Sequence, residues 1–129
     1  MIKWKDDYLL GVEVIDQQHK ELFRIAGDAY DLLNNEFFSD KYDKVVRLIE
    51  ELKNYALFHF ETEEKYLLEI GYKKYFSHKI IHDDFVNKFK SIDLEKLDEN
   101  QDDYLSSIIM FIVDWIEHHI LGTDKQYVD

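Results

Sequence analysis

A chain of 129 residues, 46% hydrophobic and 16% aromatic, is long enough to bury one core, and nothing in it has linker composition, so residues 1–129 read as one domain. Its 28 acidic against 16 basic residues leave a formal charge of −12, which repels phosphate backbones and anionic lipid and argues against nucleic-acid and membrane partners. The absence of cysteine excludes disulfides, thiolate zinc sites and iron–sulfur clusters together, so any metal must be held by nitrogen and oxygen.

The N-terminal stretch MIKWKDDYLL is broken by charges before a signal-peptide core can form. The longest apolar run, Ile108 to Val113, falls far short of a membrane span, and a soluble cytoplasmic protein is expected. After an irregular arm of about 15 residues come four stretches in which apolar residues recur at three- and four-residue steps, the spacing of one helix face. The first passes through Ile15, Leu22, Ala26, Ala29, Leu33 and Phe37 to a polar break at Ser39-Asp40, either of which can cap the next helix. The second passes through Val45, Leu48, Leu52 and Ala56 and ends at Gly71, a left-handed C-cap. The third extends from Phe76 through Phe85 and Phe89, and the fourth runs through Leu105, Ile108, Ile112 and Trp115. Between these two, SIDLEKLDENQDD reads as a solvated loop whose acids favour the N-terminus of the last helix. Four amphipathic helices with short connections predict an all-α fold: an up-down-up-down antiparallel four-helix bundle with an irregular N-terminal arm.

At one end of each stripe the core line turns polar. Continued in the same steps, the second stripe lands on His59 and then Glu63, where leucine would be expected. Stepping back from Phe89 and Phe85 gives His82 and His78, stepping forward from Ile112 and Trp115 gives His119, and the first stripe passes through His19. A four-residue step is about 400° of rotation and about 6 Å of rise, so both members of each pair can reach one centre. His118 is instead rotated by about 100° toward solvent. In an up-down-up-down bundle, the starts of the first and third helices and the ends of the second and fourth share one end of the molecule. Those are the regions that carry these histidines.

A lone histidine on an apolar stripe is more often a hydrogen-bonded core residue than a ligand. Five at one level, with a carboxylate that is costly to bury without a compensating cation, point instead to metal. Five histidines and Glu63 exceed the four ligands of a structural zinc site and suit two octahedral ions sharing bridging groups. A further bridge is then needed, and Asp124 is the candidate. Five residues after His119 it lies about 140° away on a regular helix, so a loosened or π-type turn is required, which Gly122 can permit. On the residues alone, a bridging ligand and an ordinary tail aspartate both remain open.

The same residues resemble the hemerythrins. His19 in IDQQHKELF, His59 and Glu63 in HFETEE, His78 and His82 in HKIIHDDF, and His119 and Asp124 in WIEHHILGTD match that family's ligands in order and spacing. The match extends over nearly the whole chain, with Trp4 and Gly11 in the arm. Lys73 stands where many members have proline and Ile116 where many have leucine. The resemblance implies two iron ions per chain. His78, His82 and His119 would hold one, His19 and His59 the other, and Glu63 and Asp124 would bridge them beside an oxo or hydroxo group. The two-histidine iron would keep an open site for dioxygen. Phe60, Ile116 and Ile120 would line the pocket there, and the i to i+3 relation of Ile116 to His119 separately puts it within reach.

The donor types bear on the chemistry. Ferritin-like di-iron oxidases use Glu-x-x-His pairs and mostly carboxylates; no Glu-x-x-His occurs here, and histidines outnumber carboxylates in the candidate set. Reversible dioxygen binding, for transport, storage or sensing and not as an enzyme, is the expectation. The alternatives are a di-iron oxidoreductase acting on nitric oxide or peroxide, and a bundle holding another metal or none. A sensor would need a partner protein.

Overall fold

The apolar periodicity closes into helices. In the computed structural model, which describes residues 3–34, 41–90 and 101–128, these are α1 (Glu13–Leu33), α2 (Lys41–Glu69), α3 (Tyr75–Lys90) and α4 (Gln101–Gly122), with no strand among the described residues. Short 3-10 turns, Asp6–Tyr8 and Asp124–Tyr127, flank the set. His19 near the start of α1 lies beside His59 near the end of α2. Glu63 lies beside His78 at the start of α3, and His82 beside His119 at the end of α4, so the helices alternate up and down as expected of an antiparallel four-helix bundle.

The core is the union of the stripes. Ile15, Leu22, Ile25 and Ala26 of α1, Val45, Leu52 and Ala56 of α2, Phe85 and Phe89 of α3, and Leu105, Ile108 and Ile112 of α4 are all buried. Each large apolar side chain so buried contributes about 1.5–3 kcal/mol. Within the stripes some neighbours exchange places: Ile49 rather than Leu48 is fully buried, Ile109 and Ile116 are buried while Trp115 is only half-buried, and Phe76 is 76% exposed. Leu105–Tyr127 is long and apolar enough to cross a membrane by length and composition, which the short run Ile108 to Val113 does not suggest. The buried face of α4, however, is that of a core helix.

Gly71 ends α2 as expected. At φ +66°, it lets the Tyr72 amide donate to Leu67 O and its own amide to Leu68 O, the 6→1 and 5→2 pair of a Schellman cap. The arm is shorter and more ordered than expected, since α1 begins at Glu13. No side chain caps Val12; instead the Asp16 carboxylate accepts from the amides of Leu10 (2.8 Å) and Gly11 (3.0 Å), the latter at φ +88°, where L side chains are strained. Tyr8 stacks on Phe23 at 5.0 Å and donates to Glu117 on α4, so the arm straps α1 to α4. Residues 101–103, expected as the end of the acidic loop, form the first turn of α4. Phe37, the Ser39-Asp40 break and the rest of that loop lie outside the described residues.

Candidate metal centre

Each helix delivers its polar residues to one end of the bundle. His19, His59, Glu63, His78, His82, His119 and Asp124 are all buried, none more than 6% exposed. His118 is exposed, its Nδ1 2.7 Å from the Asp114 carbonyl of its own helix. Asp124 arrives by a different route from the one expected. There is no π-type turn: α4 stops at Gly122, and after Thr123 a 3-10 turn carries Asp124 inward to 0% exposure. Gly122 has ordinary backbone and open space where a Cβ would stand, so the change of direction does not depend on glycine.

All five rings present Nε2 to the interior. The pairs His19–His59 and His82–His119 each bring two Nε2 atoms to 3.0 Å. Two nitrogens each about 2.1 Å from one ion and at right angles to each other would lie about 3.0 Å apart, so both spacings fit ligand edges. Ligand atoms within 4.8 Å of one another form two groups, Glu63, His78, His82, His119 and Asp124, and His19, His59, Glu63 and Asp124. Both carboxylates belong to both groups. Glu63 Oε1 lies 2.6 Å from His78 Nε2 and 3.0 Å from His82 Nε2, while Oε2 lies 3.7 Å from His59 Nε2. Asp124 Oδ1 lies 2.9 Å from His119 Nε2 and 3.1 Å from His78 Nε2, with Oδ2 3.3 Å from His19 Nε2. Both Asp124 oxygens are nonetheless buried without a hydrogen bond of acceptable geometry. Atoms at contact distance that aim past one another face a shared point, which is the arrangement a cation would complete.

Electrostatics point the same way. Burial, helped by neighbouring His19, pushes His59 down to about 3, so this ring is neutral, as a ligand must be. Burial also opposes the charged form of Glu63, but the neighbouring His119, His78 and His82 rings outweigh it and hold the carboxyl well below its usual range. Asp124 is lowered too, against burial and the Glu63 charge, chiefly by His119. Conversely, burial disfavours protonated His78, yet the Asp124 and Glu63 carboxylates beside it raise it to about 9, and His119 is raised despite burial by the Asp124 charge. Without a metal, protons on these rings offset two buried carboxylates.

The surrounding layer holds residues the stripes did not reveal. Gln18 Oε1 lies 2.8 Å from His59 Nδ1, Glu64 Oε2 2.9 Å from His82 Nδ1, and the Tyr127 hydroxyl donates to Glu63 Oε2 at 2.9 Å. Burial and the nearby Glu63 and Asp124 charges push the Tyr127 phenol far up, which keeps it a donor. Gln18 and Glu64 are sequence neighbours of His19 and Glu63, one helical position off the stripe, and Tyr127 is three residues beyond Asp124, where a 3-10 turn eclipses side chains. Adjacency to a candidate ligand was the available signal. Phe60, Ile116 and Ile120 are all buried; the Phe60 ring stacks on His82 at 4.0 Å and lies 5.9 Å from His59, touching both groups.

Comparison with known proteins agrees with this geometry. The family model for the hemerythrin HHE cation binding domain matches residues 10–129. The chain is 50% identical over 129 residues to a bacteriohemerythrin of Clostridium acetobutylicum, covering 100% of both chains. It is 31% identical over 125 residues to a myohemerythrin of Theromyzon tessulatum, covering 97% of this chain and 89% of that one. A bacteriohemerythrin of Pseudomonas aeruginosa is 30% identical over 127 residues, 98% of this chain and 78% of its own. With a matching family model over nearly its full length and a half-identical relative of equal extent, the chain belongs to the hemerythrin family.

Proposed function

We propose that this protein binds dioxygen reversibly at a centre of two iron ions, for transport, storage or sensing. His78, His82 and His119 would hold one ion and His19 and His59 the other, with Glu63 and Asp124 within reach of both. The observation that carries the reading is the double membership of both carboxylates in two otherwise separate histidine groups. Two ferrous ions would supply an open coordination position and the two electrons that dioxygen takes up on binding and returns on leaving.

The chain's own residues supply the rest. Three candidate histidine donors against two would make the ions unequal, leaving room for an exogenous ligand on the two-histidine side. Glu63 and Asp124, kept ionised by their histidine neighbours, offset the charge of two cations. The Tyr127 hydroxyl donates to Glu63 Oε2 and so helps to hold that carboxylate in place. Phe60, Ile116 and Ile120 form apolar walls that keep water and protons from the bound gas, and the names of the relatives, bacteriohemerythrin and myohemerythrin, fit this use.

The test has two parts. Metal analysis of protein from iron-replete cells should give two irons per chain; one zinc, or no metal, would overturn the centre. Anaerobic reduction followed by cycles of air and vacuum should give absorption bands that come and go. Sustained consumption of nitric oxide or peroxide with an electron donor, without reversible bands, would select an oxidoreductase instead.

A further inference from the structure

We propose that Glu64 and Gln18 are positioning residues that give the two ions different electron affinities, Glu64 acting through His82 and Gln18 through His59. This rests on the two-ion reading above. Five rings turn Nε2 inward, which leaves five Nδ1 atoms behind them. Those of His19, His78 and His119 are buried without a partner. The other two are engaged, one in each ligand group, and their partners differ in charge. His82 Nδ1 faces a carboxylate, Glu64 Oε2, at 2.9 Å, and His59 Nδ1 faces an amide oxygen, Gln18 Oε1, at 2.8 Å.

The proton positions follow from the neighbours. An Nε2 that faces an ion is bare, so the proton of a neutral ring sits on Nδ1 and is donated outward. At His59 the acceptor is fixed independently. The Thr62 hydroxyl donates to the Phe58 carbonyl at 3.1 Å, so its oxygen is left to accept, and it receives the Gln18 amide N–H at 3.3 Å. That turns the Gln18 oxygen toward His59. The ring is therefore held in one tautomer by a neutral dipole, in a buried position where Gln18 is 6% exposed.

At His82 the acceptor carries a full negative charge. Glu64 follows Glu63 on α2, rotated about 100° from it, so one residue faces the ions and the next grips a ligand from behind. The Glu64 side chain is 18% exposed, which weakens its field through solvent without abolishing it. The Phe60 ring, stacked on His82 within 11° of parallel, fixes the plane in which the ring can donate. A carboxylate drawing on Nδ1–H makes the imidazole a richer donor at Nε2 and favours the higher oxidation state of the ion it holds. The three-histidine ion is thereby the easier one to oxidise. The two-histidine ion, with only an amide behind His59, is less committed to the ferric state, which suits a position from which dioxygen must leave.

The experiment uses the full chain loaded with iron, comparing wild type with Glu64→Gln, Glu64→Asp and Gln18→Glu. Glu64→Gln keeps size and hydrogen bonding and removes only charge. At two irons per chain it should raise the reduction potential by a tenfold change in the ratio of reduced to oxidised ion, about 59 mV for one electron. Gln18→Glu should lower the potential, and Glu64→Asp should stay closer to wild type than Glu64→Gln. A structural role would not move the two potentials in opposite directions. Unchanged potentials at full iron occupancy would overturn the inference while leaving the two-ion centre intact. Loss of iron from Glu64→Gln at saturating ferrous ion would make Glu64 a structural support and overturn it as well. Fewer than two irons in the wild type would overturn the centre itself.

Discussion

His118 and His119 are adjacent in sequence and opposite in circumstance, so replacing each by alanine is a sharp test of the fourth-helix register. His119 is 6% exposed; its Nε2 lies 2.9 Å from Asp124 Oδ1, and its ring stacks on Trp115 at 4.5 Å. His119→Ala leaves a buried carboxylate short of a partner, a change worth about 3–5 kcal/mol. It also removes a ring contact of about 0.5–1.5 kcal/mol. Partial entry of water at this end of the bundle offsets some of that, so a loss of about 4 kcal/mol is expected in chelated protein, a large share of a typical domain's about 5–15 kcal/mol. His118 is exposed and its Nδ1 faces a carbonyl of its own helix, and His118→Ala should stay within about 0.5 kcal/mol. Urea denaturation followed by circular dichroism reads the stabilities, and elemental analysis reads the iron, which should fall below two per chain only in His119→Ala. His119→Gln, which retains a donor toward Asp124, should recover part of the stability but not the iron. Equal losses in the two alanine variants would show that α4 is rotated from the position described.

Removal of iron should lower the melting temperature by at least about 10 °C, because buried histidine and aspartate atoms without partners cost about 1–3 kcal/mol each; an unchanged melting temperature after verified removal would mean that this end tolerates solvent. In the chelated protein two histidines oppose each other with pH. His78, raised from 6.5 to about 9, stabilises the fold below pH 6.5 and loses that contribution as pH rises through about 9. His59, lowered from 6.5 to about 3, is neutral when folded, so it stabilises above pH 6.5 and the contribution is lost as pH falls toward about 3. The urea midpoint should therefore peak near pH 6.5, and a flat profile from acid to mild alkali would contradict both assignments. Ile116→Ala should keep both irons yet speed decay of the dioxygen-dependent absorption severalfold in air, by opening space that water can enter beside polar groups; identical decay at full iron content would remove Ile116 from the pocket.

The helical part of the centre was legible because four-residue spacing is itself geometry. His59 with Glu63 and His78 with His82 must share a face, and alternation of helix direction brings the faces to one end. Asp124 was not legible from spacing, since periodicity carries no information past the last turn of a helix and a 3-10 turn, not a deformed α4, delivers it. Gln18, Glu64 and Tyr127 were missed for a related reason. They lie beside the stripes, where polar residues are ordinary, and only the distances to His59, His82 and Glu63 distinguish them from solvated ones. Leu48 and Ile49 show the resolution limit of a periodic pattern: two adjacent apolar residues fit the step equally well, and packing chose the second.

α3 has a consequence for the life of the molecule in a cell. Its fully buried side chains are His78, His82, Phe85 and Phe89, so half of its anchorage is polar. Two buried phenylalanines contribute about 1.5–3 kcal/mol each, little against the about 1–2 kcal/mol per residue needed to order a backbone. On the proposed centre, iron is what staples this helix to the other three. A chain made during iron shortage would expose α3 to proteases by local unfolding, and degradation follows the population of such open forms. Iron supply would thus be written into the half-life of the protein, with the chain persisting where it can work and being recycled where it cannot.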